Sequence, residues 1–378
     1  MISDTNGLLD AVRRQLDDQT AQILSLDSKG YEDGFADAVT GGEGVNRHSG
    51  IARTSSGEVE FKLVAKTCAE FSQGASQRSW LYWKREPLAY DSGLLDALFG
   101  LAAPRCFGVT FPDRATAVIY MEAVENDQTS WDFETYERAG RALGRFNGHN
   151  LNNPSAHRNW MAPSRAICWV NEARSTLDTL MDLKGDPVVS RWLRGALLER
   201  TFALWSDADV LLEAMRELPS CLCHHDAFRR NLMMQPDDRQ EEAVVAIDWA
   251  FVGPGVVGEE LAATVGVSLQ FMEVEPEDTR RLEQSVFSGY LMGLRDAAWK
   301  GSEADARLGF VASTSLMLGL GALGPWLPLL RDPDFEPIVE KIVGVPKDRF
   351  IDRISELQGY FLDLGEEAVS SIRGIPDI

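Results

Sequence analysis

The chain has 378 residues, 44% hydrophobic and 25% charged, the balance of a soluble globular protein long enough for roughly two or three domains. Its 37 Lys and Arg against 58 Asp and Glu leave a net charge of −21, a surface that repels nucleic acid and anionic membranes and argues against both as main partners. The same acidity suits a cationic small molecule, although a solvated acidic surface that aids solubility accounts for it as well.

The first residues, Met1 to Asn6, hold no basic segment followed by an apolar one, so secretion is not indicated. Cys68, Cys106, Cys168, Cys221 and Cys223 form no recognisable disulfide framework, and a reduced cytoplasm is the expected location. Residues 7–16 place Leu8, Leu9, Val12 and Leu16 on one face at helical spacing, and Gln22–Tyr31 follows as a strand. Residues 41–50 read as a glycine-rich turn that matches neither the Walker nor the complete Rossmann pattern. Ser55, Ser56 and Gly57 then close a hairpin into the strand 59–66.

Alternation along that strand puts Val59, Phe61, Leu63 and Ala65 on a core face and Val64 with Lys66 on the other. An apolar residue two before a lysine suits a nucleotide pocket, one group against a flat base and the other reaching phosphates. A solvated lysine on an edge strand fits the same residues. Residues 79–98 are a candidate helix, with Trp80, Trp83, Leu88, Leu94, Leu95 and Leu98 as its apolar positions. Glu86 is a candidate partner for Lys66, with an exposed bridge to Lys84 or Arg85 as the plain alternative, and Pro87 either kinks that helix or restarts it.

Residues 117–123 form the next strand, and the domain boundary is placed there: a β-rich domain with one main helix over 1–123, then a larger helical domain over 124–378 carrying a small hairpin. Residues 131–150 are amphipathic, with Tyr136, Ala139, Leu143 and Phe146 on one stripe. Further helices are expected over 167–183, 188–216, 259–271, 277–299 and 348–367. The uncharged run 309–330 is long enough to cross a bilayer, but its glycines and Pro325 and Pro328 favour a buried helix pair.

Chemistry concentrates between Cys221 and Asp248. Ser220–Cys223 and residues 232–234 and 243–249 are short strands, and 235–242 is a turn by composition. If the last two strands pair with Met234 opposite Val245, Asn231 stands opposite Asp248, with Cβ atoms ~5 Å apart. One isolated carboxylate, Asp226, together with an Asn/Asp pair fits metal-assisted phosphoryl transfer. In that chemistry an Asp orients a hydroxyl nucleophile and hard oxygen ligands hold Mg²⁺ against phosphates.

This plan resembles the aminoglycoside phosphotransferase and choline kinase family, the small-molecule branch of the protein-kinase-like fold. The specific residues are His224-His225-Asp226 with Asn231, then Ile247-Asp248-Trp249, Gly253-Pro254-Gly255 and Glu260-Leu261-Ala262, and the resemblance runs roughly from the first strand through Ala262. It implies an α+β, two-lobed fold: a β-rich nucleotide-binding N-terminal lobe and a larger α-helical lobe for catalysis and acceptor binding. It implies that Asp226 is the catalytic base or hydroxyl-orienting residue and that Asn231 and Asp248 bind Mg²⁺. Lys66 would contact the α- and β-phosphates of ATP, held by Glu86, and Met121 and Ala123 would present backbone groups to the adenine edge. The implied reaction moves the γ-phosphate of ATP to a hydroxyl of an aminoglycoside-, choline- or sugar-like acceptor.

His225 stands where the family often has glycine, and Ala227-Phe228-Arg229-Arg230 where Leu-His-Pro-Gly is common, departures that bear on the acceptor. Glu260 replaces a usual aspartate and reads as structural. Two other readings stand beside this one: a kinase-like binding protein without turnover, and a zinc site built from Cys221, Cys223, His224, His225 and Asp226, which lacks a second distant ligand cluster. Glu259, Glu260, Glu273, Glu275, Glu277 and Asp278 either line a pocket for a cationic acceptor or form solvated helix faces, the reading favoured here.

Overall fold

A computed structural model describes residues 5–31, 44–70, 76–77, 79–125, 130–154, 156–235 and 243–374. The glycine-rich positions 41–43 and positions 236–242 of the expected turn lie outside them. Two compact units result, one formed by residues 1–98, 102–127 and 233–250, the other by 99–101, 128–232 and 251–378.

The first unit is built on an antiparallel sheet of five strands, β1 (Gln22–Tyr31), β2 (Val45–Thr54), β3 (Gly57–Ala69), β4 (Cys106–Thr110) and β5 (Thr116–Glu122), in the order β1-β2-β3-β5-β4. The helix Thr5–Gln15 lays Leu8, Ala11 and Val12 on one face of this sheet, against Phe61, Leu63 and Ala65 of β3, Val118 and Tyr120 of β5, and Phe107. Val59, expected in this core, is instead exposed near the hairpin end of β3. Residues 45–50, expected as turn, belong to β2: Gly50 pairs with Leu26, and a Cβ at Gly50 would stand 2.0 Å from the Ser25 carbonyl oxygen. Glycine at this position therefore permits a strand.

The expected helix 79–98 contracts to Arg85–Asp91. Pro87 lies in its first turn, where its missing N–H costs nothing, and Gly93 at φ 70° follows its end. The edge strand β4 escaped the sequence reading because Gly108 and a register shift break its alternation.

The units also divide the chain differently from a boundary at 123/124. Strands β7 (Leu232–Gln235) and β8 (Ala243–Ala246) form a two-stranded sheet, and residues 233–250 join the first unit. Backbone bonds fix this, since Ala102 donates to the Val244 carbonyl (2.9 Å) and Ala246 donates to that of Ala102 (2.8 Å). Main-chain pairing between distant segments leaves no side-chain signature.

In the second unit the long helices Phe133–Asn152 and Thr279–Asp296 pack together through glycines. A Cβ on Gly144 would lie 2.1 Å from the Tyr290 carbonyl oxygen, and one on Gly293 equally close to that of Arg141. Removing both side chains brings the backbones together and aims Tyr290 at Asn147. The Tyr290 hydroxyl donates to Asn147 Oδ1 (2.8 Å) and accepts from the Gly258 amide (2.9 Å), while Asn147 Nδ2 donates to the Leu222 carbonyl (2.9 Å). Leu222 belongs to β6 (Ser220–Cys223), which pairs with β9 (Gly253–Val256). The helix pair thus fixes the strand that leads into His224 and Asp226.

Residues 188–216 form two helices, Pro187–Trp192 and Leu197–Arg216. Residues 259–271 give a π-helical stretch Ala262–Val267 and a short turn Ser268–Gln270. The apolar run 309–330 lies in one helical stretch, Glu303–Arg331, with a π-helical segment at Ser315–Gly321 and 83% of its most apolar window buried inside the protein. It is core, as expected, but one run instead of a pair.

Gly144→Ala is expected to destabilise the protein by about 3 kcal/mol through overpacking against the Tyr290 backbone, as read by urea unfolding. A change under ~0.5 kcal/mol, the scale of ordinary surface substitutions, would refute the close-contact account.

Candidate functional site

In the first unit, pleat alternation turns Val64 and Lys66 away from the helix-covered face, and Met121 of β5 lies directly across from Val64. Ala123 follows Glu122, which is paired with Leu63 at the end of the β3–β5 ladder. Three expected site residues converge at the ammonium of Lys66. Its Nζ is 2.6 Å from Glu86 Oε2 and 2.9 Å from Asp248 Oδ1. Burial pulls this ammonium down, but the charges of Asp248 and Glu86 more than offset it and hold Lys66 well above its ordinary range. Starting the helix at Arg85 places Glu86 in its first turn, so the exposed bridge to Lys84 or Arg85 does not form.

Arg85, which the sequence offers only as an exposed partner for Glu86, ties this cluster together. Fully buried, it donates to the carbonyls of Gln77 (3.0 Å), Ser79 (2.8 Å) and Ala250 (2.8 Å). Glu86 also accepts the Trp249 backbone N–H. Consecutive residues of one helical turn thus grip the chain on the C-terminal side of Asp248. Asp248 itself adopts φ 62°, a left-handed conformation that Asp tolerates better than most residues and that needs such support.

In the second unit the chain leaves β6 through His224, His225 and Asp226. Glu260, fully buried, accepts the His224 amide on Oε2 (2.7 Å) and the His225 amide on Oε1 (2.9 Å). The expected structural role of this glutamate is therefore amide capture. Burial pushes the Glu260 carboxyl up to about 7 against the pull of those two hydrogen bonds. His225 has φ 66°, which explains why glycine suits this position. His224 Nδ1 accepts the Asp226 amide (3.2 Å), and Thr264 donates to the Ala227 carbonyl (2.6 Å).

Asp226 is almost buried and both its carboxylate oxygens are engaged. Asn231 Nδ2 donates to Asp226 Oδ2 and to its carbonyl, each at 2.9 Å. Arg165, at the start of the helix Arg165–Thr179, forms an ion pair with Oδ1 and donates to the His225 carbonyl (2.7 Å). Arg165 is a residue that sequence reading missed; it lies far from Asp226 in the chain and follows no recognisable motif. Ser164, its neighbour, caps that helix and donates to the buried Glu259 (2.5 Å).

Cys221 and Cys223 put their sulfurs 3.7 Å apart on one face of β6, and burial pushes the Cys223 thiol well up, away from the thiolate a metal prefers. Among the described residues no three His, Cys, Asp or Glu side chains converge as a metal cluster. Of the six acidic residues named either for a cationic pocket or for solvated helix faces, four have partners within the second unit. Glu259 and Glu260 are committed to backbone groups, Glu273 lies between Arg229 (3.1 Å) and Arg230 (2.9 Å), and Glu275 pairs with Arg353 (2.7 Å). A surface hollow of about 500 Å³ on the helix Thr279–Asp296 is lined by Arg280, Glu283, Phe287 and Arg307 and by none of the residues above. Its guanidinium groups are already paired, Arg280 with Glu283 and Arg307 with Glu283 and Glu367.

Residues 111–299, half of the chain, match the family model described as the phosphotransferase enzyme family, APH. No curated protein matches the chain. Among solved structures, the amicoumacin kinase hAmiN in complex with AMP-PNP, Ca²⁺ and Ami is similar at 13% identity and TM-score 0.50, with 83% of this chain and 86% of that one covered. An ethanolamine kinase from Plasmodium vivax is similar at 11% identity and TM-score 0.50, covering 91% and 83%. At these identities the likeness speaks for the fold, a β-sheet N-terminal lobe and a helical C-terminal lobe of the protein-kinase-like type. With half of its length matched by the family model, the chain belongs to the phosphotransferase enzyme family.

Proposed function

We propose that the protein is an ATP-dependent small-molecule kinase that transfers the γ-phosphate to a hydroxyl of an aminoglycoside-, choline- or sugar-like acceptor. The observation that carries this reading is the pair of prepared sites: a lysine held between two carboxylates in the first unit, and a carboxylate oriented by an asparagine in the second. Lys66 supplies a fixed positive charge for the α- and β-phosphates, Glu86 holds it, and Val64 offers an apolar surface to the base. Met121 and Ala123 offer backbone groups to the adenine edge.

Asp226 orients the acceptor hydroxyl. As its oxygen bonds to the γ-phosphorus, the bond to the bridging oxygen of ADP breaks and the hydroxyl proton passes to Asp226 and then to solvent. Asp248 and Asn231 are the proposed Mg²⁺ ligands, and their chemistry fits a hard cation. Both Nδ2 hydrogens of Asn231 have acceptors, so its remaining ligand atom is the carbonyl oxygen, and Asp248 offers carboxylate oxygens. When bound, Mg²⁺ would offset charge on the phosphate oxygens.

The Arg165 ion pair decides which variant tests Asp226. Alanine would strand a buried guanidinium at a cost of about 3–5 kcal/mol, so asparagine is the better probe. Asp226→Asn is expected to keep nucleotide binding and lower turnover about 10³-fold, measured as ADP release with a panel of hydroxylated acceptors. Undiminished turnover would remove Asp226 from the chemistry. For the metal, Asp248→Asn is expected to weaken Mg²⁺-dependent nucleotide binding at least tenfold in calorimetric titration; an unaltered magnesium dependence would count against this ligand.

Glu260 carries a pH signature. Its carboxyl is raised to about 7 in the folded chain, against about 4.3 when unfolded. Its stabilising contribution is therefore complete below the lower value and disappears as pH rises through the higher one. Relative to Glu260→Gln, wild type should lose on the order of 3 kcal/mol between pH 4 and pH 8, read by urea unfolding of both proteins. A difference that stays constant with pH would show that Glu260 does not titrate in this window.

A further inference from the structure

The side chains around Asp226 carry an excess of guanidinium. Arg165 pairs with Asp226, while Arg229 and Arg230, which stand where the family commonly has proline and glycine, share the single carboxylate of Glu273. Three arginines thus face two carboxylates. Glu259 and Glu260 also lie beneath this loop, but their oxygens accept backbone amides and the Ser164 hydroxyl, and burial raises both carboxyls toward the neutral form.

Arg165 is built as a recognition group. Its side chain is 10% exposed, and its guanidinium lies 4.5 Å from the Phe251 ring centroid and 5.1 Å from that of Trp169. Aromatic rings on a guanidinium fix its orientation and leave its edges for hydrogen bonds. Nη1 serves Asp226 and the His225 carbonyl, whereas Nε is buried and has no hydrogen-bond partner among the described residues. A buried N–H without an acceptor costs about 1–3 kcal/mol. The edge that carries Nε and Nη2 matches a carboxylate, which accepts two parallel hydrogen bonds from it.

We propose that the acceptor is a hydroxyl compound bearing a carboxylate, a sugar acid or hydroxy acid, and that Arg165 receives this group beside Asp226. The inference rests on the kinase reading and narrows its acceptor from the cationic aminoglycoside- and choline-like members to the sugar-like one. An ammonium at this place would meet the surplus positive charge, and a neutral hydroxyl could accept from this edge but would bring neither the charge nor the paired oxygens of a carboxylate. The net charge of −21 acts against an anion at long range but is screened within about 8 Å at physiological salt; contact chemistry is set by the arginines.

The test uses the full chain with Mg-ATP and acceptor trios matched in size: glycerate, glycerol and serinol; glucuronate, glucose and glucosamine. In at least one trio the carboxylate is expected to show kcat/KM at least tenfold above the neutral member and the amine to show the lowest. Arg165→Gln should reduce the preference for carboxylate over neutral acceptor to within twofold, and Arg229→Gln, which leaves the Asp226 pair intact, should raise KM for the carboxylate without changing kcat. In every trio that is phosphorylated, turnover of an amine or neutral member equal to that of its carboxylate partner would overturn the proposal and leave the kinase reading standing. So would an Arg165→Gln defect equal on both, which would place the arginine on the transferred phosphoryl group. If no carboxylate is phosphorylated or raises the melting temperature of the Mg-ADP-loaded protein, the proposal also falls. Failure of Mg-ADP itself to raise the melting temperature would instead overturn the kinase reading.

Discussion

A chain leaving a buried strand must satisfy its first free amides, and at the end of β6 the carboxylate of Glu260 meets that demand for both His224 and His225. With these amides held go the left-handed turn at His225, the buried ring of His224 and the carboxylate of Asp226 set between Asn231 and Arg165. Two carboxylate oxygens for two amides is an economical solution, and it carries a charged group into a region with little water. The raised carboxyl of Glu260 records that conflict between burial and hydrogen bonding.

The first unit resolves a comparable conflict by pairing charges. Lys66 leaves the sheet on the face away from the helix Thr5–Gln15 and meets both Glu86 and Asp248. A lysine with two carboxylates is stable as it stands, yet an anionic ligand can compete for its charge. Arg85 makes this possible by holding backbone instead of charge: its hydrogen bonds to four carbonyls set the residues around Asp248 without drawing on the carboxylates. Backbone support and the charge that pairs with Lys66 thus come from adjacent residues of one helical turn.

In the second unit, glycines create the support. Helices that touch backbone to backbone cannot slide without a clash, so Asn147 and Tyr290 are delivered to β6 and Gly258 with little freedom. The substitution of arginines for the family's more usual residues after Asp226 changes what surrounds the carboxylate while leaving this frame in place.

Local pattern determined much of this. Alternation in β3 put Phe61, Leu63 and Ala65 on one face and Lys66 on the other, because a pleated strand has a period of two wherever it lies. The order of Lys66, Asp226, Asn231 and Asp248, with their neighbours, was enough to suggest the family, because short motifs around a reacting group tolerate few residue types. Tertiary structure decided what depends on distant segments. It shortened the helix at 79–98 to Arg85–Asp91, gave residues 233–250 to the first unit through backbone bonds with Ala102, and brought Arg165 to Asp226. It also buries Glu259 and Glu260 and pairs Glu273 with two arginines, where the sequence alone favours solvated helix faces. Charge and hydrogen-bond partners far apart in the chain carry no spacing rule, and only the packed structure states which of them meet.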